Sequence, residues 1–247
     1  MNNELFITID FDGTVTEVDI TDAVIKQFAK PGWEDAEKLW ESGSIGSRDC
    51  LSLQMSLIDA PLVEVLEHAG KFSVHESFPA FVHFLQKHQV PFCIVSDGFE
   101  AIIYKILSDA GLYGIPVFAN ILSDGEKGLK SSFPYSHQNC SSGTCKCSVA
   151  RQVRNGCSLI HIGDGQSDYC LSNNAYHVFS KGKLTGYCRD NVIPHTAFED
   201  FGSVAAGIEM LLLQELFSED QNIFAECEKG GGNSVLVHID SGRPSRA

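Results

Sequence analysis

Leu5-Phe6-Ile7-Thr8-Ile9-Asp10-Phe11-Asp12-Gly13-Thr14 is the stretch on which the fold turns. Its first five residues, apolar or β-branched, read as a buried strand. Two carboxylates and a glycine follow at once, where the strand ends and the chain must turn. Asp-Gly is a common turn pair and Asp a common residue after a strand, so alone this pair supports only a turn. The same arrangement recurs where Cys93-Ile94-Val95 runs into Ser96, and where Ile160-His161-Ile162-Gly163 runs into Asp164. Three strand ends thereby deliver polar side chains to one rim.

Strands are predicted at Leu5 to Ile9, Pro91 to Val95, Pro116 to Ala119, Ser158 to Ile162 and Tyr176 to Phe179. Most are separated by segments long enough for a helix, and that alternation predicts an α/β fold with a mainly parallel sheet flanked by helices. Ligands of such sheets gather at the carboxyl ends of the strands. Between the first two strands the periodicity changes. Ala23-Val24-Gln27-Phe28, Leu51-Leu53-Met55-Leu57-Ile58 and Leu62-Val65-Leu66-Ala69 space their apolar residues by threes and fours, which predicts a helical insertion. Ser47 stands where it would cap one of these helices, with Cys50 in place of the acid of a capping box. The expected division is a core over 1–14 and 88–217, a helical cap over 15–87, and a partly flexible extension over 218–247. A short strand from Val235 to Ile239 is expected in that extension.

With 43% hydrophobic residues the chain can build a proper core. Its 32 acidic against 18 basic residues, a formal charge of -14, would repel nucleic acid and anionic lipid, and no basic patch compensates. Met1-Asn2-Asn3-Glu4 begins no signal peptide, and no run reaches the roughly 18 apolar residues of a membrane span. A cytoplasmic protein is expected, monomer or homodimer, with no nucleic-acid or membrane partner. Nine scattered cysteines argue against a secreted disulfide framework.

Gly163-Asp164-Gly165-Gln166-Ser167-Asp168 adds two carboxylates after another apolar strand, and this changes the weight of Asp10 and Asp12. Mg²⁺ takes oxygen ligands and is commonly held by one or two carboxylates together with substrate phosphate. Asp10 and Asp164 suit that task. A cation there would also relieve their repulsion of a phosphate dianion. Phosphoryl transfer further needs donors around the equatorial oxygens, for which Ser96 and the Gly98 backbone N–H stand ready. A lysine should balance the charge, and Lys127, Lys130 and Lys146 are the candidates.

In these ordered motifs the chain resembles the haloacid dehalogenase-like phosphatases. Asp10-Phe11-Asp12-Gly13-Thr14-Val15-Thr16 is similar to their first motif, Val95-Ser96-Asp97-Gly98 to the second, and Gly163-Asp164-Gly165-Gln166-Ser167-Asp168 to the fourth; the third is a lysine. Lys146, 164 − 146 = 18 residues before Asp164, matches that lysine better than Lys130 at 164 − 130 = 34. Phe133-Pro134-Tyr135 to Cys140, Cys145-Lys146-Cys147, Gly46 to Gln54 and Phe198-Glu199-Asp200-Phe201 are similar to the methionine-salvage branch, within the phosphoserine phosphatase-like subfamily IB.

The resemblance, over about residues 4 to 215, implies a Rossmann-like core with a small C1-type helical cap. It implies a Mg²⁺-dependent phosphatase acting on a small phosphorylated metabolite, such as 2-hydroxy-3-keto-5-methylthiopentenyl-1-phosphate. The roles it implies make Asp10 the nucleophile, Asp12 the acid and base, and Lys146 the catalytic lysine. Ser96, Asp97, Gly98 and Asp19 would bind phosphate or substrate. Asp10, the Asp12 carbonyl and Asp164 would hold the metal, with Asp168 in support. Asp97 stands where that branch usually carries Gly, and Phe99-Glu100-Ala101 lacks its Met-Asp pair, so specificity is expected to differ. Alternatives are a phosphoserine- or phosphoethanolamine-type phosphatase, a phosphotransferase, or a non-catalytic binding protein on the same fold.

Cys140, Cys145 and Cys147 lie close enough in sequence to supply three thiolates to zinc, with Cys157 or His137 as a fourth ligand. The spacing is not that of a zinc ribbon, and the neighbouring Lys146 favours a loop-stabilising role; a redox-sensitive disulfide is a further reading. His68, His75, His83 and His88 read as ordinary surface or core residues, and Arg48 and Gln54 serve equally as substrate contacts or as solvated helix residues. Trp33 and Trp40, seven apart, are expected to pack one face of the cap.

Overall fold

The computed structural model of the protein describes residues 5–126 and 128–213. Strand β1 (Leu5–Ile9) is buried along its whole length, as a strand covered on both faces must be. It pairs in parallel with β2 (Phe92–Phe99) on one side and β5 (Ser158–Gly163) on the other, so that Ile7 faces Phe92 and Ile160. Beyond β2 lies β3 (Val117–Asp124), and β4 (Leu129–Ser132) closes that edge antiparallel. On the other side β6 (His177–Ser180) and β7 (His195–Ala197) continue the parallel array.

The strand order β4-β3-β2-β1-β5-β6-β7 puts β1 where the winding of the chain reverses. That reversal opens a crevice at the carboxyl ends of the central strands, and Asp10 is the first residue after β1. All five predicted strands form. β4 and β7 have no long apolar run to announce them: β4 reads Leu129-Lys130-Ser131-Ser132, and β7 is a three-residue edge.

Helices α1 (Ile20–Phe28), α2 (Trp33–Glu41), α3 (Ser47–Ser56), α4 (Leu62–Ala69) and α5 (Phe78–Lys87) fill the stretch between β1 and β2. Thr16 and Val74 form an antiparallel bridge, so the chain leaves for α1 and returns from α4 at one place. α5 packs against Phe201, near the end of the described chain. Its Phe78 ring lies 4.9 Å and its Phe81 ring 5.1 Å from that of Phe201, and the Phe201 N–H donates to Ser77 Oγ. Burying an aromatic of that size contributes roughly 1.5–3 kcal/mol.

Ser47 does not cap α3. Gly46 holds the cap position, and the Ser47 hydroxyl donates instead to the Asp97 carboxylate, a longer-range partner that the local sequence does not reveal.

After β2 come α6 (Glu100–Asp109), α7 (Lys146–Val153), α8 (Tyr169–Ser172) and α9 (Gly182–Asp190). Phe6, Cys93, Val95, Val149, Leu159 and Leu171 join β1, β2, β5, α7 and α8 in one apolar cluster. The start of α7 is thereby anchored against the strands that carry the polar rim. No helix among the described residues is long and apolar enough to cross a membrane. Lys127 and the segment 218–247, with its expected strand from Val235 to Ile239, lie outside the described residues.

Candidate active site

Asp10 is 4% exposed, and its Oδ1 accepts a hydrogen bond from Lys146 Nζ at 2.5 Å. The same Nζ lies 2.5 Å from Asp168 Oδ1, so one buried ammonium bridges two buried carboxylates. Lys146 is the first residue of α7, delivered by the packing just described. Lys130, on β4, is exposed and takes no part in these ion pairs.

Asp168 is held from every side. His161 Nε2 lies 2.9 Å from its Oδ1, and the Asp164 and Gly165 N–H groups donate to its Oδ2 at 3.2 and 3.1 Å. His161 Nδ1 is 3.0 Å from Thr8 Oγ1, its register partner across the β1–β5 ladder. Sequence reasoning missed His161 and Thr8. The available signal was a histidine and a threonine at matching positions inside two apolar strands.

Asp164 follows β5, and its Oδ1 accepts from Thr14 Oγ1 at 3.2 Å. Gly13 has φ of +73°, and a Cβ there would lie 2.7 Å from Asp164 Oδ2, so the turn after Asp12 needs glycine on both counts. Among the described residues Asp10, Asp164 and Asp168 form the one group whose oxygens could share a metal ion, all within 4.8 Å of one another. Three carboxylates against Lys146 leave two formal negative charges. Hard oxygen donors carrying that excess suit a hard divalent cation. Asp10 and Asp164 have oxygens to give it, whereas those of Asp168 are already engaged.

The electrostatics follow from this crowding. Burial lifts Asp10 well above the usual carboxylate range; Lys146 opposes this, and Asp168 and Asp164 add to it. Asp164 is raised by burial and then by Asp168. Burial also pushes Asp168 upward, but Lys146 and His161 outweigh it, and its carboxyl is held below the ordinary range. Burial opposes the charge on Lys146, yet Asp10 and Asp168 together raise its pKa. The two partners of the Lys146–Asp10 pair therefore both move upward. The physical reason is that one ammonium cannot fully compensate the surrounding acids, and Asp10 is the one left short.

Asp12 differs. Its Oδ1 accepts from the Ile20 N–H at 2.9 Å and its Oδ2 from Thr21 Oγ1 at 3.3 Å, which ties it to the first turn of α1. Burial, then the charge of Asp19, raises its carboxyl to about 8. Asp19, exposed at the cavity, caps α1 by accepting from the Asp22 N–H at 2.8 Å, and partial desolvation by the surrounding protein, with Asp22, Asp164 and Glu37 nearby, raises its pKa.

Asp10, Asp12, Asp19 and Asp164 open on a cavity of about 390 Å³, with Lys146 and Asp168 behind Asp10 rather than on its lining. Core residues Asp10, Asp12, Ser96, Gly98 and Asp164 line one side; Asp19, Ile25, Glu37, Trp40, Leu51 and Gln54 line the other. Ser96 is buried, and its Oγ accepts from the Gly98 N–H at 2.9 Å, so the N–H expected to face a ligand is engaged here by the serine. Asp97 also borders the cavity, but both its carboxylate oxygens already accept hydrogen bonds from protein donors. Gln54, buried, donates to Glu37 at 2.8 Å, and Arg48 donates to the Cys140 and Ser142 carbonyls at 2.5 and 3.0 Å. Neither is a solvated helix residue. Trp40 lines the cavity, and Trp33 is not among its lining residues.

No cysteine group among the described residues has metal-ligating geometry. Cys147 Sγ instead lies 2.9 Å from Sγ of Cys170, and burial followed by that contact pushes the Cys147 thiol above its ordinary pKa.

No protein-family model matches the chain. A 2-hydroxy-3-keto-5-methylthiopentenyl-1-phosphate phosphatase of Geobacillus thermodenitrificans is 29% identical over 222 residues, covering 85% of this chain and 98% of that protein. A phosphatase of the same name from Exiguobacterium sp. is 26% identical over 81% of this chain and 95% of its own length. Among solved structures, a substrate-bound phosphoserine phosphatase superposes with a TM-score of 0.63 at 17% identity, covering 83% of this chain and 98% of its own. A phospho-aspartyl intermediate analogue of phosphoserine phosphatase gives 0.61 at 18% identity, over 82% of this chain and 97% of its own. At such identities the solved structures establish a shared fold.

Proposed function

We propose that this chain, a phosphatase of the haloacid dehalogenase-like superfamily, hydrolyses a small phosphomonoester by passing the phosphoryl group first to Asp10 and then to water. The observation that carries this reading is the group of buried Asp10, Lys146 and Asp168 with half-buried Asp164, and Asp12 set apart from it and shifted to about 8. Two carboxyls whose surroundings differ this much suit two different tasks.

The Asp10 carboxylate attacks phosphorus in line with the leaving oxygen. Lys146 holds the Asp10 oxygen in place and offsets charge on the phosphoryl group, while the Ser96 hydroxyl donates to a phosphoryl oxygen. Asp12, carrying a proton near neutral pH, gives it to the departing alcohol. It then takes a proton from the water that attacks the aspartyl-phosphate, and the cycle closes with Asp12 protonated again. Mg²⁺ is the proposed cation, held by the Asp10 and Asp164 carboxylates and the Asp12 carbonyl, and it would supply charge neutralisation where the phosphate dianion meets these acids. Asp168 and His161 orient Lys146 and the Asp164 turn and touch no substrate.

Helices α1–α4 are proposed as the cap, since α5, expected within it, packs on Phe201. The cap closes the far wall of the cavity and limits the substrate to a small metabolite. The substrate in the relatives' name, 2-hydroxy-3-keto-5-methylthiopentenyl-1-phosphate, is the first compound to assay. The reading is tested by mixing Asp12→Asn protein with substrate and Mg²⁺ and measuring intact mass. A one-phosphoryl increase that maps to the peptide containing Asp10 is expected; unimpaired turnover in this variant would refute it.

A further inference from the structure

Asp97 is the residue of the cavity rim whose chemistry the proposed reaction does not use. A carboxylate beside a phosphate site repels the dianion, so its presence after Ser96 calls for another task. Its bonding supplies one. Oδ2 accepts from the hydroxyl of Ser47, at the start of cap helix α3, and Oδ1 accepts from the buried Thr144 N–H at 2.8 Å. Asn120 Nδ2, from β3, donates to the Asp97 carbonyl at 2.6 Å and reaches Oδ1 at 3.3 Å. Thr144 Oγ1 completes the group by donating to Asn120 Oδ1 at 3.1 Å.

Thr144 stands two residues before Lys146, and the Cys145 between them is the cap residue of α7. The segment comes so close to Asp97 that a Cβ on Gly143 would lie 2.8 Å from Asp97 Oδ1 and 2.7 Å from Asn120 Nδ2. The cap grips the same segment a second time: the Arg48 N–H donates to the Ser141 carbonyl at 3.2 Å, beside the guanidinium contacts already described.

We infer that Asp97 is a positioning residue that couples the seating of the cap, through Ser47, to the placement of Lys146, through Thr144. The two donors occupy different oxygens of one carboxylate. When the cap withdraws the Ser47 hydroxyl, the carboxylate loses the bond that fixes its plane, and the Thr144 bond weakens with it. A seated cap thus helps to hold the lysine against Asp10. The inference rests on the proposed role of Lys146 in binding the phosphoryl group.

The test uses Ser47→Ala, Asp97→Ala, Asp97→Asn and the double variant Ser47→Ala/Asp97→Ala, with two measurements. One is amide hydrogen exchange of the segment 143–146, which needs no activity. The other is inhibition by inorganic phosphate, which is too small to span from the core to the cap. Loss of a coupled partner should speed exchange at Thr144 and weaken phosphate in Ser47→Ala by roughly threefold and in Asp97→Ala by about tenfold, with the double variant no worse than Asp97→Ala. Asn, which can still accept from Thr144 and donate to Ser47, should restore most of both. Unchanged Thr144 exchange and phosphate inhibition in Ser47→Ala, or effects that simply multiply in the double variant, would overturn the inference. Should Asp97→Ala fail to fold, Ser47→Ala against Asp97→Asn decides by the same criteria. A wild-type protein that neither hydrolyses nor binds phosphate, yet whose Thr144 exchange responds to Ser47→Ala, would refute the function while leaving the coupling intact.

Discussion

Lys146 Nζ stands 2.5 Å from Oδ1 of Asp10, a residue 136 positions earlier in the chain, and both side chains are almost wholly buried. An ion pair in that setting is costly to break from one side, because the partner is left charged and unsolvated. Lys146→Ala should therefore destabilise the protein by about 3–5 kcal/mol as well as abolish turnover. Urea denaturation followed by circular dichroism measures the first, and phosphate release the second. A variant of unchanged stability would show that the lysine is not the counter-charge of this site.

Metal addition should act in the same direction as that lysine. Asp10, Asp164 and Asp168 outnumber Lys146, so a divalent cation relieves repulsion that exists only in the folded protein. Mg²⁺ at a hundredfold excess over its dissociation constant should stabilise the chelated protein by about 2.7 kcal/mol. The gain should vanish in Asp164→Asn. Thermal unfolding with and without EDTA reads both.

On the proposed mechanism, Asp12 should govern the pH dependence. The first proton transfer needs its protonated form, and its carboxyl is raised to about 8, so kcat should fall as pH rises through that region. A bound cation nearby favours the ionised form and moves this limb to lower pH. The charge of Asp19 is among the causes that raise Asp12, and Asp19→Asn should lower the limb further. A pH–rate profile that does not move in Asp19→Asn would contradict this linkage.

His161 acts on the acidic group through Asp168, while its other ring nitrogen meets Thr8 Oγ1. His161→Phe fills the space but leaves an Asp168 oxygen one partner short, at about 1–3 kcal/mol. The depressed pKa of Asp168 stabilises the fold above the ordinary carboxylate range and ceases to do so as pH falls through its folded value. The variant should thus be less stable near neutral pH and converge on the wild type in strong acid. Denaturation midpoints across pH check the sign.

The charge of the leaving group should matter. On the side formed by α1 and α2 the cavity presents Asp19, Asp22 and Glu37 beside Trp40 and no cation, and Lys183 is the sole basic residue among all those lining it. A phosphomonoester with a second anionic group should be hydrolysed at least tenfold less efficiently than a neutral or cationic ester of the same size. Glu37→Gln should narrow that ratio. Competition between phosphoglycolate and phosphoethanolamine measures it.

Much of the fold was legible in local sequence. The apolar runs ending at Asp10 and at Asp164 each state a buried strand and its polar end, because burial on both faces demands such runs; β2, expected to end at Val95, instead runs on through Ser96 to Phe99 with an irregular register after Val95. The change to helical spacing after Val15 was equally readable. β4 was not, since an edge strand that pairs on one side tolerates Lys130 and two serines. Nor was the contact of Phe78 with Phe201, which no spacing within 15–87 encodes.

The sequence by itself determined which side chains reach the rim and which types of group they are: carboxylates, a hydroxyl and a lysine following strands or opening a helix. Only the tertiary structure decided how they are shared. Asp168 turned out to be saturated by Lys146, His161 and two backbone N–H groups, Asp12 to be tied to α1, and Asp97 to join Ser47 to Thr144. The reason is physical. Strand and helix formation depend on near neighbours, whereas a buried hydrogen-bond partner or charge is supplied by whichever distant segment the packing brings within about 3 Å.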